Sequence, residues 1–380
     1  MSPVPPARSR STVVLVALLG LAACGGSGGG TVKIGLAGPF TDPVGAPMKL
    51  AAEMAVDEIN AVGGINGRKL ELVERDDYGD PDSAVAAAVA LEAAGVVAVV
   101  GDVFSGTTLA AAPVYNGARH PVVQLSPSSS SPEVSHAGEY TFRICPSDLA
   151  HGAALARYAR EQLKYSRGAV LYLNDEYGRG IRQTFVSDFV RQGGTVVEND
   201  PYLGSTPDVG PYIQRLADRG NAQFLLVAGN RSEAEEILRR ARAQGLRAPV
   251  MGGDGLEGLE SAGALAEGAY VTAAYMAAID SPRNRKFVEA YGRRYPTAGA
   301  PNQPAAATYD AIYLLADVIK RTGTGRKAIR DGLAAVGTSA PAFEGVTGTI
   351  AFDLNGDVPR QPVIVGVVRN GRVVVAEGQQ

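Results

Sequence analysis

Twice along this chain an apolar strand-like run is followed by a helix-period segment and then by another strand, an alternation that restricts the fold more than any single motif. The first series runs TVKIGLAG, a helix through LAAEMAVDEINAV stopped by Gly63 and Gly64, KLELVERDD, the helix DSAVAAAVALEAAG, VVAVVGD, a helix after Ser105, and PVVQLS. A second series begins near Gly168 with GAVLYLND, a helix to Gln192, TVVEND, a helix around PYIQRLADRG, QFLLVAG, the helix SEAEEILRRARAQG and APVMGGDG. Beyond Tyr270 two more helices are expected, SPRNRKFVEAYGRRY and AAATYDAIYLLADVIKR, then a β-rich tail from Phe343 to Val375. The halves agree in order and spacing without a residue-level repeat, which predicts two α/β lobes of one plan and not a solenoid. The segment TFRICPSD that joins them is short and β-like, so the lobes share crossovers around a cleft, a geometry that favours hinge motion.

The N-terminus carries a different signal. Arg8 and Arg10 precede an apolar stretch from Val13 to Ala23 that is too short to span a bilayer comfortably, the pattern of an export signal. It ends in Leu21-Ala22-Ala23-Cys24-Gly25, which resembles the bacterial lipobox, in which the cysteine becomes the acylated first residue. Residues 1–24 are thus expected to be a lipoprotein signal peptide, with Cys24 as the lipidation site. Residues 25–30, GGSGGG, are a flexible tether spanning on the order of 13 Å. The folded part is expected to be exported and lipid-anchored to a membrane, facing the periplasm or the cell exterior. With Cys24 lipidated only Cys145 remains, so no intramolecular disulfide forms and Cys145 is expected to be a buried small hydrophobe.

A search for reactive groups turns up little catalysis. A net charge of −3 without a long run of either sign gives no footprint for nucleic acid. His120, His136 and His151 lie in separate contexts without metal-ligand spacing and are expected to be structural or on the surface; no metal and no cofactor is expected. No G-x-x-x-x-G-K-[ST] and no G-x-S-x-G is present, and the first βα turn lacks G-x-G-x-x-G, so the chain is read as a non-enzyme. Polar residues do gather at strand ends, where open α/β sheets place ligands. VVAVVGDVF leads into Ser105 at a helix start, and PVVQLS leads into Pro127-Ser128-Ser129-Ser130-Ser131-Pro132. Two such strand ends would cradle a small carboxylate, or the serines would merely cap helices. In the second half Asp254, between glycines, would meet an ammonium group or cap a following helix, while Tyr177 and Asn230 also follow strands; Tyr177 could instead pack locally.

From KIGLAGPFT through AVDEINAVGGINGRKLELVERDDYGDP, VVGDVFSG, LSPSSSSPE, TFRICPSD, NDEYGRG, MGGDG and GTIAFDLNGDV, the mature chain resembles the leucine/isoleucine/valine-binding proteins of bacterial ABC importers. The resemblance implies the type I periplasmic-binding-protein fold, two doubly wound parallel-sheet lobes joined by three crossovers and closing on a ligand without catalysis. Lobe 1 is then residues 31–145 and 276–348, lobe 2 residues 146–275 and 349–380. It implies ligand contacts from Ser105, Ser128, Ser129 and Ser130 to an amino acid's carboxylate, from Asp254 to its ammonium, and from Tyr177 and Asn230 to the rest. Implied partners are a small amino acid or carboxylate and an ABC permease in the inner membrane, for a monomer that is itself tied to the membrane by its N-terminal lipid. Where the family often has tyrosine this chain has Asn230, and the loop TDPVGAPM is short and lacks an aromatic. Since relatives of this fold bind amides, aromatic acids or urea, those ligands and a ligand-sensing receptor role stand as the alternatives.

Overall fold

The computed structural model describes residues 1–4, 30–204, 209–219 and 221–379; Cys24, the apolar signal stretch and residues 25–29 of the tether lie outside them. The first series forms β1 (Val32–Gly38), α1 (Ala46–Ala61), β2 (Leu70–Asp76), α2 (Pro81–Ala93), β3 (Ala98–Val100), α3 (Ser105–Gly117), β4 (Val123–Ser126) and β5 (Thr141–Arg143). The chain then crosses over into α4 (Asp148–Arg157), β6 (Arg167–Leu173), α5 (Glu176–Arg191), β7 (Thr195–Tyr202), α6 (Gly210–Arg219), β8 (Phe224–Ala228), α7 (Arg231–Ala243), β9 (Val250–Gly252) and β10 (Tyr270–Ala273). A second crossover leads to α8 (Pro282–Arg294), α9 (Gln303–Thr322), α10 (Arg326–Ala334) and the small hairpin β11 (Phe343–Glu344) with β12 (Thr349–Ile350). A third returns the chain to β13 (Ile364–Arg369) and β14 (Arg372–Val375).

The first sheet has the order β2-β1-β3-β4-β5 with every pair parallel. The second has the order β14-β13-β10-β9-β8-β6-β7, parallel from β10 to β7 and antiparallel over the terminal hairpin. In each lobe the order reverses beside its first strand, and such reversals open a crevice at the strands' carboxyl ends. Both sheets are covered on both faces. In the first, Ile34 and Leu36 pack with Ile59, Leu314 and Val318 of α1 and α9, and on the other side Val99 packs with Leu91 and Tyr115 of α2 and α3. In the second, Leu171 and Val227 meet Ile213 and Ile237, while Phe224 joins Phe185 and Phe189 in edge-to-face contacts with centroids 5.7 Å and 5.3 Å away.

Three departures from the sequence expectations have physical reasons. Helix α4 was not expected, because Gly152 in its middle is a poor helix former. The glycine is there for packing: a Cβ would lie 2.7 Å from Thr184 Cβ and 2.8 Å from Phe185 N, so only glycine lets α4 close onto α5. Helix α10 is a single short amphipathic stretch, fixed by burial of Ile329 and Leu333 more than by its own sequence. The third crossover also stays with the first lobe longer than expected: Ile350, Phe352 and Val358 belong to its core, so the packing changes after Val358 and not at residue 349.

Candidate ligand-binding site

A cleft of about 470 Å³ opens between the carboxyl ends of the two sheets. Ser105, Ser128 and Ser130 line it from the first lobe, and Tyr177, Asn230 and Asp254 from the second, so six of the seven expected ligand residues converge. Ser105 opens α3. Thr108 is where the helix's own hydrogen bonding begins, its N–H reaching Phe104 O at 3.0 Å, so the amides before it have no carbonyl within the helix. The Ser105 hydroxyl accepts from Ser131 N at 3.1 Å and keeps its own proton for an acceptor in the cleft.

Ser129 is the exception. It does not line the cleft: its hydroxyl is buried against Thr108 Oγ1 at 2.6 Å and Val103 O at 3.1 Å, and its amide donates to Ser126 Oγ at 3.0 Å. The serine run alternates in what it lines, with 128 and 130 on the cleft and 129 and 131 off it, although only Ser128 is half-buried and the other three are buried. What imposes the alternation is Arg143, buried behind the loop. Its Nη1 donates to Ser130 O at 3.0 Å and Ser131 O at 2.8 Å, its Nη2 to Ser135 Oγ at 2.7 Å, and its Nε stands 2.7 Å from Asp357 Oδ1. One planar guanidinium thus turns the loop's carbonyls away from the ligand side and ties them to the third crossover. Sequence reasoning missed it, although an arginine within the apolar strand TFRIC is the mark of a buried, paired charge.

On the opposite wall Gly253 and Gly255 flank Asp254 because the Tyr177 ring lies over them: Cβ atoms there would come within 2.5 Å and 2.7 Å of its hydroxyl oxygen. That hydroxyl donates to Asp254 Oδ1 at 3.0 Å and accepts from Gly255 N at 2.7 Å. Burial, with the Asp254 charge beside it, pushes the phenol well above its ordinary value, so it remains a donor. Asp254 begins a short 3-10 turn whose N-cap is Gly253, so it is not the helix cap that its sequence position also allowed. Asn230 occupies the N-cap position of α7 without a side-chain capping bond. His151 is wholly buried, bonded through Nδ1 to Thr272 Oγ1 at 2.8 Å; His120 and His136 are exposed.

Glu257 and Gln303 are among the lining residues that went unforeseen. Glu257, in the same strand-end loop as Asp254, accepts from Gln303 N, the first residue of α9, at 2.9 Å, and Gln303 Nε2 donates to Pro127 O at 2.9 Å beside the serines. Burial pushes the Glu257 carboxyl up to about 7, the Gln303 amide opposing the rise and the Asp254 charge adding to it. Asp148, just past the first crossover, is fully buried and held well above the usual carboxylate range, first by burial and then by the Asp254 charge. Among the described lining residues Asp42, Asp175, Glu176, Glu233, Asp254 and Glu257 stand against the guanidinium of Arg231. Such a cleft concentrates cationic groups. Among the described residues no three His, Cys, Asp or Glu side chains are grouped to hold a metal, and no helix is long and apolar enough to cross a membrane.

The profile of the periplasmic binding protein family matches residues 31–372. The leucine-, isoleucine-, valine-, threonine-, and alanine-binding protein of Pseudomonas aeruginosa is 33% identical over 338 residues, 86% of this chain and 87% of that protein. A substrate-binding protein of an ABC transporter from Desulfitobacterium hafniense, solved in complex with Leu, is 31% identical with a TM-score of 0.78, covering 91% of this chain and 100% of that one. A solute binding protein from R. palustris in complex with benzoate, 20% identical, shares the fold with a TM-score of 0.80 over 91% of this chain and 95% of that one. The chain therefore belongs to the periplasmic binding protein family, as a type I fold of the leucine/isoleucine/valine-binding group.

Proposed function

We propose that this chain captures a small amino acid between its lobes, branched-chain or related, and delivers it to the permease of an ABC importer. The observation that carries this reading is the polarity of the cleft: the Ser105, Ser128 and Ser130 hydroxyls and the amides at the start of α3 face the carboxyl groups of Asp254 and Glu257, the two ends a zwitterion needs. The relatives named for leucine, isoleucine and valine support it. Charge-assisted hydrogen bonds contribute roughly 1.5–3 kcal/mol each, so three or four supply much of the roughly 8 kcal/mol of micromolar binding after ordering costs. The benzoate-binding neighbour makes an aromatic carboxylate the second reading, against which the acidic lining counts, because such a ligand brings no cation to it. Calorimetry of the purified protein with L-leucine, L-valine, L-alanine, L-threonine and benzoate separates the two: saturable binding of an amino acid is expected, and binding of benzoate alone would overturn the reading.

The protein works outside the cytoplasm, as a monomer held to the membrane by lipid on Cys24. Metabolic labelling with an alkynyl fatty acid should tag the protein in cells and fail to tag Cys24→Ser. Labelling that persists in the variant would remove that anchor.

A further inference from the structure

His151 sits behind the second-lobe wall of the cleft with a bond on one side and an open nitrogen on the other. Nδ1 meets Thr272 Oγ1 at 2.8 Å, and Nε2, buried and without a hydrogen-bond partner, faces Asp254 Oδ2 at 3.7 Å. Since a hydroxyl can donate as well as accept, the tautomer follows from the carboxylate: a lone pair on Nε2 would face its negative charge, whereas Nε2–H is attracted to it. Thr272 then donates to Nδ1. Asp254 is held at Oδ1 by Tyr177 and approached at Oδ2 by His151.

We propose that His151 is a positioning residue for the ligand's ammonium group and its proton-controlled competitor: neutral, it aligns Asp254 and leaves that carboxylate's charge to the ligand; protonated, it supplies the cation itself. This rests on the reading of Asp254 as the ammonium anchor. The charged groups acting on the imidazole are Asp254, from the turn after β9, and Arg143, from β5. Asp148 lies one turn earlier on its own helix, α5 brings the Tyr177 hydroxyl to the same carboxylate, and β10 contributes only Thr272. Burial lowers the imidazole below its ordinary value, Asp254 opposing and Arg143 adding to the fall, so the ring is neutral at neutral pH and gains its charge only in acid. The proton it then takes up comes from solvent, and an amino ligand is weakened as it does so.

Two measurements on the folded chain test this. Imidazole nitrogen NMR of the ligand-free protein should show His151 as the Nε2–H tautomer, titrating below the ordinary imidazole value, and Asp254→Asn should lower its midpoint further. An Nδ1–H tautomer, or a midpoint that Asp254→Asn leaves in place, overturns the proposal whether or not any amino acid binds. In calorimetry on Glu257→Gln, which removes the other titrating carboxyl at the ammonium end of the cleft, L-leucine should lose affinity between pH 7.5 and 5. 4-Methylpentanoate, the same skeleton without the amino group, should not weaken over that range, and adding His151→Gln to that variant, which keeps a donor but cannot become a cation, should flatten the leucine profile. A profile that falls equally for both ligands, or stays steep once His151→Gln is added, refutes the competition. If L-leucine fails to bind at any pH, the branched-chain reading is what falls, and the NMR titration still decides the role of His151.

Discussion

Asp254 is gripped at one oxygen by Tyr177 and approached at the other by His151, so its carboxylate presents a fixed charge to the cleft. Asp254→Asn keeps the shape and removes that charge. Its affinity for amino acids should fall by at least about tenfold in calorimetry, the size of one lost charge-assisted contact, while a carboxylate ligand without an amino group should bind no worse; equal losses for both would assign Asp254 a structural role. Within the serine run the two parities separate in the same way. Ser130→Ala should weaken every carboxylate ligand alike. Ser129→Ala should instead cost about 1–3 kcal/mol of unfolding free energy, because the buried Thr108 hydroxyl and Val103 carbonyl lose a partner. The run's place at a strand end was legible from the sequence. Which serines face the ligand was not, since irregular backbone carries no period from which to read a face, and the parity is set by Arg143 from a different strand.

At the scale of elements, the strands and most helices followed from the alternation of apolar runs, and the misses share a cause. Helix α4 has weak local propensity and is held by contact with α5; its position matters because it carries Asp148 and His151 to the back of the site. Strand β5 is only three residues long, yet it delivers Arg143 to both the serine loop and the third crossover. Arg143→Met should cost about 3–5 kcal/mol in urea unfolding, because Asp357 and the carbonyls of Ser130 and Ser131 are left without their cation. Arg143→Lys should recover part of the ion pair but not the fork of bonds to the carbonyls. A loss under about 1 kcal/mol in Arg143→Met would mean that the loop holds its shape unaided.

For the molecule as a whole, two lobes around a cleft were legible because both halves repeat one order of elements, whereas contacts across the cleft join residues distant in sequence and leave no local pattern. Glu257 from the second lobe accepts the first amide of α9, a helix packed on the first lobe, so this single carboxylate spans the closure seam. Its charge is also costly there: burial raises it from an ordinary 4.5 to about 7. Below the lower value both folded and unfolded chains hold the proton; between the two values only the folded chain does; above the higher one the folded chain bears a buried charge. The group's contribution to stability is therefore present in acid and lost as pH rises through about 7. Glu257→Gln keeps an oxygen for the Gln303 amide and never ionises. It should raise the melting temperature of the ligand-free protein at pH 8, and the gain should shrink toward nothing at pH 5. A gain of the same size at both values would mean that Glu257 is not held in its raised state, and the seam would then be closed by shape and hydrogen bonding without a titrating group.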